Sequence, residues 1–333
     1  MPATAWTRLR ERRVTSLAAS ASATAPGEAS TEIVCSVLIG RVSKLEAARI
    51  VDTLCALREQ QPAVSHEVIV ADRLNDAVSR RIERDFPEVR LLGFPPDASL
   101  PALRTAALVA ARGRFAVVTE DHCVPARDWL AQIVSAFARE VDSVAAVGGT
   151  VVNGLSQHWV DRATFQCEYG NYLPPRKSGP DTDLPGMNVA YVRQRLLALD
   201  RNALVAGFWE TTVHPTLLRQ HARLVFADEV RVAHCKHFGL MEFLEQRFLY
   251  SRYYAGNRFG RIAWPRRAAA LLLSPLLPIL LLWRFQRGAL RRRRYWDEFL
   301  SLLPLLALFA LVWTIGEVAG YALGPGDALA RLE

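Results

Sequence analysis

The chain has 333 residues, of which 51% are hydrophobic and 22% are charged, and its formal net charge at pH 7 is +8. Such a length accommodates one or two domains with a large core. The basic residues do not interleave with aromatic residues on a predicted sheet, so we expect no nucleic-acid partner. The five cysteines are scattered and odd in number, which favours free thiols in a reducing compartment over a disulfide framework.

The first 31 residues have a composition that cannot build a core. Residues 1–31 begin with several arginines and continue in Ala, Ser, Thr, Pro and Gly, so we expect this segment to be disordered. Its basic start faintly resembles a signal peptide, but it lacks the leucine-rich hydrophobic stretch of one. We therefore do not expect a signal peptide.

Short β-rich runs alternate with helical patterns in the first half of the chain. Such alternation predicts an α/β fold with a mostly parallel, Rossmann-like sheet that helices cover. The predicted strands are 33–39, 67–72, 89–92, 114–119 and 144–152, and the predicted helices are 45–58, 78–86, 103–111 and 129–137.

The segment after the last of these strands is poor in regular patterns. Residues 153–184 contain Pro174-Pro175 and Gly179-Pro180, and they predict an irregular, mobile loop near the substrate. Two further segments, 217–225 and 230–233, complete a domain that we expect to span residues 32–238.

The turn after the fourth strand carries Glu120, Asp121 and His122. Carboxylates at the end of a buried strand are costly to leave unpaired, and ligands bind at strand ends in open α/β sheets. Mg²⁺ and Mn²⁺ prefer oxygen ligands, and Mn²⁺ also accepts an imidazole. The turn therefore predicts a divalent cation that faces a phosphorylated substrate, with a solvated turn that caps the next helix as the alternative. Zinc is disfavoured, because the Cys and His residues lack the usual close pairs.

The last third of the chain is rich in apolar residues and arginines. Residues 239–265 predict an amphipathic interfacial helix, and residues 266–333 predict a membrane-associated helical region. The run 268–283 is shorter than the roughly 20 residues that cross a bilayer, so we expect it to dip in and return or to lie shallow. The run 299–323 is long enough to cross, and a buried soluble helix is the alternative for both runs. The arginine-rich linker between them favours the cytoplasmic side.

The order of these elements, together with several separated motifs, resembles glycosyltransferase family 2, whose catalytic domain has the nucleotide-sugar-binding GT-A fold. The resemblance covers roughly residues 33–237. It has three departures. Glu120-Asp-His122 replaces the family's Asp-x-Asp, Glu210-Thr211 lacks the second carboxylate of its Glu-Asp pair, and the loop 73–76 after Asp72 lacks the usual Gly and Ser. The motifs that carry the resemblance are Ser36–Ile39, Glu67–Asp72, Arg104 with Ala111–Gly113, Thr119–Pro125, Gly186–Asn188 and Trp209–Glu210.

The resemblance implies a role for each matching residue. We expect Glu210 to be the catalytic base, with His214 in reserve, although a carboxylate that begins a helix also favours the helix dipole. Metal binding falls to Glu120, Asp121 and His122. The residues expected to contact the donor are Asp72 at the nucleobase or ribose, Arg104 at the diphosphate, Glu120 and Asp121 through the metal, and Gly186 and Asn188 near the sugar.

The function that follows is inverting transfer of a sugar from a UDP- or GDP-sugar to a hydroxyl, with Mg²⁺ or Mn²⁺ as cofactor. The membrane end favours a lipid-linked or cell-surface glycan as acceptor, contact with membrane lipids, and a catalytic domain on the cytoplasmic face of the cytoplasmic membrane. The alternatives are a sugar-phosphate nucleotidyltransferase, which would need a Gly-rich phosphate loop, and a catalytically degenerate membrane scaffold. Because the second carboxylate of the family's pair is missing, the scaffold stays an alternative.

Overall fold

The computed structural model describes residues 32–43, 47–140, 143–155, 157–258, 262–290 and 295–332. The expected disorder of residues 1–31 and the arginines at 291–294 lie outside these ranges. Residues 33–333 form one compact unit.

In the described ranges nine strands form one sheet, and its order is β3-β2-β1-β4-β8-β6-β9-β5 with β7 beside β9. All five predicted strands are present within about two residues of their expected ends, whereas the predicted segments 217–225 and 230–233 are one helix end and one continuous strand. The strands are β1 (Cys35–Arg41), β2 (His66–Asp72), β3 (Arg90–Gly93), β4 (Phe115–Glu120), β5 (Cys123–Pro125), β6 (Val144–Asn153), β7 (Gly179–Asp181), β8 (Val189–Val192) and β9 (Arg223–His234).

The sheet is mixed, with a parallel part that positions the acidic turn. Strands β3, β2, β1 and β4 are parallel neighbours, as are β6 and β9. Strand β8 separates these two groups and runs antiparallel to both β4 and β6. Every residue of β1 is buried, as expected for a central strand whose two faces are covered by helices.

The predicted helices of the first half are present, with ends that differ by up to about five residues. The second half of the chain contains further helices, and one of them lies in the segment predicted to be an irregular loop. The helices are α1 (Ile50–Arg58), α2 (Ala77–Asp85), α3 (Leu100–Ala110), α4 (Trp129–Ala138), α5 (Trp159–Tyr169), α6 (Arg193–Leu197), α7 (Arg201–Gly207), α8 (Glu210–Arg219), α9 (Leu240–Gly256), α10 (Trp264–Leu273), α11 (Leu277–Leu290), α12 (Trp296–Leu323) and α13 (Ala328–Arg331).

Helix α5 shows that the prediction of an irregular loop over 153–184 was wrong. The residues from Ala163 to Cys167 are all buried. Ala163 and Cys167 pack in an apolar cluster with Phe243 and Phe299 from the C-terminal helices. The polar composition of this segment concealed the helix, because much of its stabilisation comes from partners more than 70 residues away.

Helix α9 packs its apolar face on α12 instead of on lipid. The rings of Phe243 and Phe309 lie 4.6 Å apart, and Leu240 and Leu244 pack against the same cluster. The prediction that this face lies at a membrane interface was therefore wrong. An amphipathic pattern shows that a face is covered, but it does not identify what covers it.

Two helical segments are long and apolar enough to cross a membrane, judged by length and composition. One is Trp264–Gln286, which has 23 residues, and the other is α12, which has 28. The first is longer than the predicted run 268–283, and a 3₁₀ turn at Ser274–Leu276, which contains Pro275, interrupts it. Only 6% of the most apolar 18-residue stretch of the first segment is buried, against 39% of that of α12. Neither segment is therefore an enclosed core helix.

Candidate active site

Two adjoining cavities lie beyond the carboxyl ends of β1 and β4. The smaller has a volume of about 110 Å³ and contains the acidic turn. The larger, of about 480 Å³, contains Arg104, Glu120 and Glu210. Both are lined by Leu100, Glu120, Glu168, Tyr169, Arg247, Tyr250 and Leu332. The predicted metal motif and the predicted base thus share one continuous cleft.

The acidic turn and the end of β9 bring a carboxylate and two imidazoles together. The Nε2 atom of His122 lies 3.2 Å from Oε2 of Glu120 and 3.1 Å from Nε2 of His234. Asp121 accepts a hydrogen bond from Nδ1 of His122 at 2.8 Å, an arrangement that fixes the tautomer and orientation of a metal-binding histidine. The side chains that could hold a metal ion, with donor atoms within 4.8 Å of one another, are Glu120, His122 and Cys123.

The electrostatics of this cluster suit a cation. Burial lowers the pKa of His234 well below its usual value, and the neighbouring His122 lowers it further, so its nitrogen lone pair stays available. Burial alone would raise the pKa of Glu120, but His122 and Arg104 hold it below its usual value. Burial raises the pKa of the Cys123 thiol, which makes it a poor ligand at neutral pH. Glu120, His122 and His234 are therefore the side chains that could hold a divalent cation, and Asp121 orients His122.

Glu210 begins helix α8 and packs against Gly186 at the wall of the larger cavity. A Cβ atom at Gly186 would lie 2.4 Å from Oε2 of Glu210, so glycine leaves room for the carboxylate. Burial raises the pKa of Glu210 to about 7, although its own backbone amide and Arg104 act in the opposite direction. A carboxylate with this pKa is matched to accepting a proton near neutral pH.

Arg104 lies on α3 with only 3% of its side chain exposed. Its guanidinium donates to Oε1 of Glu120 at 3.1 Å and lies 5.4 Å from the ring of Trp209. The structure therefore brings Arg104, Glu120 and Glu210 to one cavity, as the resemblance implied. The contact of Arg104 with a diphosphate stays a prediction.

Asp72 lies outside the cleft, in a closed polar network. It is fully buried, and its Oδ2 accepts from Arg41 at 3.1 Å and from the Ser79 hydroxyl at 2.5 Å. Its Oδ1 accepts from the amide of Leu74 at 2.9 Å. Asp72 is thus placed to anchor Arg41 and the start of α2, and the expected contact of its carboxylate with the nucleotide stays a prediction.

Asn188 is likewise fully buried and hydrogen-bonded within the domain. Its amide nitrogen donates to the carbonyls of Thr150 and Val230, both at 2.9 Å, and its carbonyl accepts from Trp129 at 2.8 Å. These bonds tie β6, β9 and α4 together. The side chain is buried and braces the domain, and the expected contact of Asn188 with the donor sugar stays a prediction.

Glu168 and Arg247 line both cavities, and sequence reasoning gave neither a role there. Glu168 lies near the end of α5, the helix in the segment predicted to be a loop. Its Oε1 atom lies 3.7 Å from Nη1 of Arg247. Burial raises the pKa of Glu168. It adds a carboxylate to a cavity in which Thr211 replaces the family's second acid. His214, the reserve base, does not line either cavity. Its Nε2 atom lies 2.9 Å from the hydroxyl of Tyr191, and burial lowers the pKa of His214 to about 4.

Comparison with known proteins finds a family match for part of the chain. Residues 42–197 match the family described as glycosyl transferase family 2. No curated protein matches the chain in sequence. A mannosyltransferase from Pyrobaculum calidifontis, solved with GDP-Man and Mn²⁺, is 18% identical with a TM-score of 0.51; the alignment covers 95% of this chain and 93% of that one. GalNAc-T7, solved with UDP, GalNAc and Mn²⁺, is 14% identical with a TM-score of 0.48. That alignment covers 62% of this chain and 44% of GalNAc-T7.

These matches confirm the predicted resemblance to family 2, the α/β GT-A fold and the assignment as a glycosyltransferase. They favour that enzyme class over the nucleotidyltransferase alternative. The family match ends at residue 197, so Glu210, His234 and the C-terminal helices lie beyond it. The residue roles and the membrane assignment therefore depend on the geometry of this chain.

Proposed function

We propose that this chain is a membrane-associated inverting glycosyltransferase. It moves a sugar from a UDP- or GDP-sugar to a hydroxyl of a lipid-linked or cell-surface glycan, and it requires a divalent cation. The single observation that supports this most directly is the composition of the larger cavity. Glu210, Arg104 and Glu120 line its polar side, and apolar residues of a membrane-type helix line the other.

The chemistry requires one proton acceptor and an opposed leaving group. Glu210 takes the proton of the acceptor hydroxyl as the oxygen forms its bond to the anomeric carbon. The bond from that carbon to the diphosphate breaks on the opposite face, and the electron pair leaves with the nucleoside diphosphate. Attack opposite the leaving group inverts the configuration of the anomeric carbon.

The donor site is proposed at the acidic turn. Glu120, His122 and His234 would hold the cation, which would supply positive charge beside the departing diphosphate. Arg104 contributes a fixed positive charge on the same side of the cavity. A structure of the same fold contains GDP-Man and Mn²⁺, which guides the choice of ligands for the test below.

The acceptor side of the cavity is formed by α11 and α12. Leu277, Leu281 and Phe285 of α11 line it together with Trp313 and Glu317 of α12. A hydroxyl carried on an apolar chain matches a wall of this kind better than a free soluble sugar does. This supports a lipid-linked acceptor. We further propose that the catalytic domain lies on the cytoplasmic face, where nucleotide sugars are made.

Isothermal titration calorimetry with UDP- and GDP-sugars, each with Mn²⁺ or with EDTA, tests the donor site. We expect one nucleotide to bind with Mn²⁺ and to lose most of its affinity in EDTA. The variant His234→Ala should bind donor weakly even with Mn²⁺, whereas the exposed control His221→Asn should bind as the wild type does. NMR of the product should show an inverted anomeric configuration.

Three results would contradict the proposal. Failure to bind any nucleotide sugar with Mn²⁺ would remove the donor site. Binding without transfer to lipid-linked acceptors, and without hydrolysis of the donor, would instead identify a degenerate scaffold. Formation of a nucleotide sugar from sugar phosphate and nucleoside triphosphate would identify a nucleotidyltransferase.

A further inference from the structure

Helix α12 contacts the catalytic domain along its whole length, and this contact bears on how the protein meets a membrane. Near its start, Oε1 of Glu298 accepts from Nε of Arg162 on α5 at 2.9 Å. In its middle, Phe309 packs on Phe243 of α9. Just beyond its end, the carbonyl of Gly324 accepts from Nε of Arg252 at 3.3 Å. One face of this 28-residue helix is therefore covered by protein from end to end.

A helix that crossed the bilayer in this position would carry α5 and α9 into the hydrocarbon with it. Helix α9 contains Glu245, Arg247 and Arg252. An arginine at the centre of a bilayer costs about 2.5–3.5 kcal/mol on insertion scales, and several such charges would have to enter together. A crossing orientation of α12 is therefore incompatible with the packing that the structure shows.

The segment that contains α10 and α11 runs antiparallel to α12 and lies beside it. At its start, Arg267 donates to the carbonyl of Ala322, at the end of α12, at 3.2 Å. At its other end, Phe285 is buried in the same cluster as Phe299, at the start of α12. The two helical segments thus form a flat pair on one side of the domain.

The outer face of this pair is apolar and exposed. Leu272, Ile279 and Leu276 are 80%, 67% and 59% exposed. On α12, Leu311 and Ile315 are 50% and 52% exposed, opposite the buried face. An exposed apolar surface of this extent marks an interaction site.

Aromatic and basic residues border this outer face. Trp264 and Trp283 are both exposed, and tryptophan favours the headgroup region of a bilayer. Arg258, Arg266 and Arg284 also have exposed side chains. Arginines at a membrane surface are attracted to lipid phosphates by about 1 kcal/mol each when the lipids are anionic. The charge at the border therefore matches a phospholipid leaflet.

We infer that both helical segments lie parallel to the bilayer within one leaflet, with the catalytic domain above them. This inference rests on the proposed membrane association and adds its geometry. The cytoplasmic side expected for the arginine-rich linker and that expected for the catalytic domain then agree, because neither helical segment crosses between them. It also replaces the expectation that residues 299–323 cross.

Single cysteines at the ends and on the outer face of α12 test this arrangement. In a Cys55→Ser, Cys235→Ser background, Asp297→Cys and Asp327→Cys lie at exposed positions near the two ends. Both are treated with a membrane-impermeant maleimide in sealed inside-out membrane vesicles and in right-side-out spheroplasts. We expect both to be labelled in the vesicles and both to be protected in the spheroplasts.

The outer face is tested with Ile315→Cys, which should resist the reagent in both preparations and react after detergent is added. Labelling of the two ends from opposite sides would show a crossing helix and would overturn the inference. A disulfide between two Ile315→Cys chains would assign the face to a second copy and would also overturn it. Free labelling of Ile315→Cys in the vesicles would refute membrane contact itself.

Donor binding, measured separately in detergent, distinguishes failure of this inference from failure of the proposed function. A protein that binds and transfers sugar but shows a crossing helix refutes only the membrane geometry. A protein with the expected labelling that binds no nucleotide sugar refutes only the enzymatic proposal.

Discussion

At the scale of single residues, the site depends on how a carboxylate is placed. Glu210 lies at the first turn of α8, opposite a glycine at position 186 whose missing side chain leaves it space. Loss of hydration raises its pKa to about 7, which turns an ordinary acid into an efficient proton acceptor at neutral pH. The same residue would be a weak base on an open surface.

The pH dependence of transfer tests this role for Glu210. Because the base acts in its ionised form and its pKa is about 7, we expect kcat to fall about tenfold for each pH unit below 7. Glu210→Gln should lower kcat by roughly 10² to 10⁴-fold and should remove this slope. Steady-state kinetics between pH 5.5 and 9 measure both. An unchanged slope in Glu210→Gln would assign the titration to another group.

At the scale of elements, close packing of α12 on α9 forms one wall of the cavity. A Cβ atom at Gly316 would lie 1.9 Å from Oγ of Ser251 and 2.5 Å from the carbonyl oxygen of Phe248. At Gly320 it would lie 2.5 Å from the carbonyl oxygen of Arg252. Two glycines one turn apart therefore let the helix backbones approach closely, as small residues do between apolar helices.

The substitution Gly316→Ala tests this contact. The new methyl group forces α12 away from the backbone of α9, and overpacking of this kind costs about 1–3 kcal/mol. We expect a lower melting temperature of the purified protein in detergent. Ile315→Ala is the matched control, because its side chain points away from α9 and should leave the melting temperature nearly unchanged. Equal melting temperatures for Gly316→Ala and the wild type would contradict the packing.

At the scale of the whole molecule, the catalytic sheet and the C-terminal helices build one site together. The sheet supplies Glu120, and α3 and α8 supply Arg104 and Glu210, whereas the apolar wall comes from helices that follow the domain in sequence. A fragment that ends near residue 238 would therefore lose half of the larger cavity.

The substitution Leu281→Asp tests whether that wall holds the acceptor. A carboxylate in contact with a hydrocarbon chain is poorly solvated, so we expect the KM for a lipid-linked acceptor to rise roughly tenfold or more. The KM for the donor should change less, because the acidic turn lies on the other side of the cavity. Leu197→Asp, on the exposed surface of α6, is the control. Equal rises in both KM values would point to general damage.

The sequence by itself determined the elements whose pattern is local. Continuous apolar runs between turn residues specify strands such as β1 and β4, since burial on both faces requires them to be apolar throughout. The turn from Glu120 to His122 was likewise visible, because three polar residues after a buried strand stand out in the chain. Separated motifs then identified the family, and with it the cleft that contains Glu210 and Arg104.

Only the tertiary structure decided which side chains reach that cleft and what covers the apolar faces. Asp72 and Asn188 match motifs of the family, yet the side chains of both are hydrogen-bonded to partners that are distant in sequence, such as Arg41 and Trp129. His234 joins His122 only because β9 pairs with β5. The apolar face of α9 is likewise covered by α12. A hydrophobic pattern shows that a side chain is removed from water, but the fold of the whole chain determines which residue packs against it.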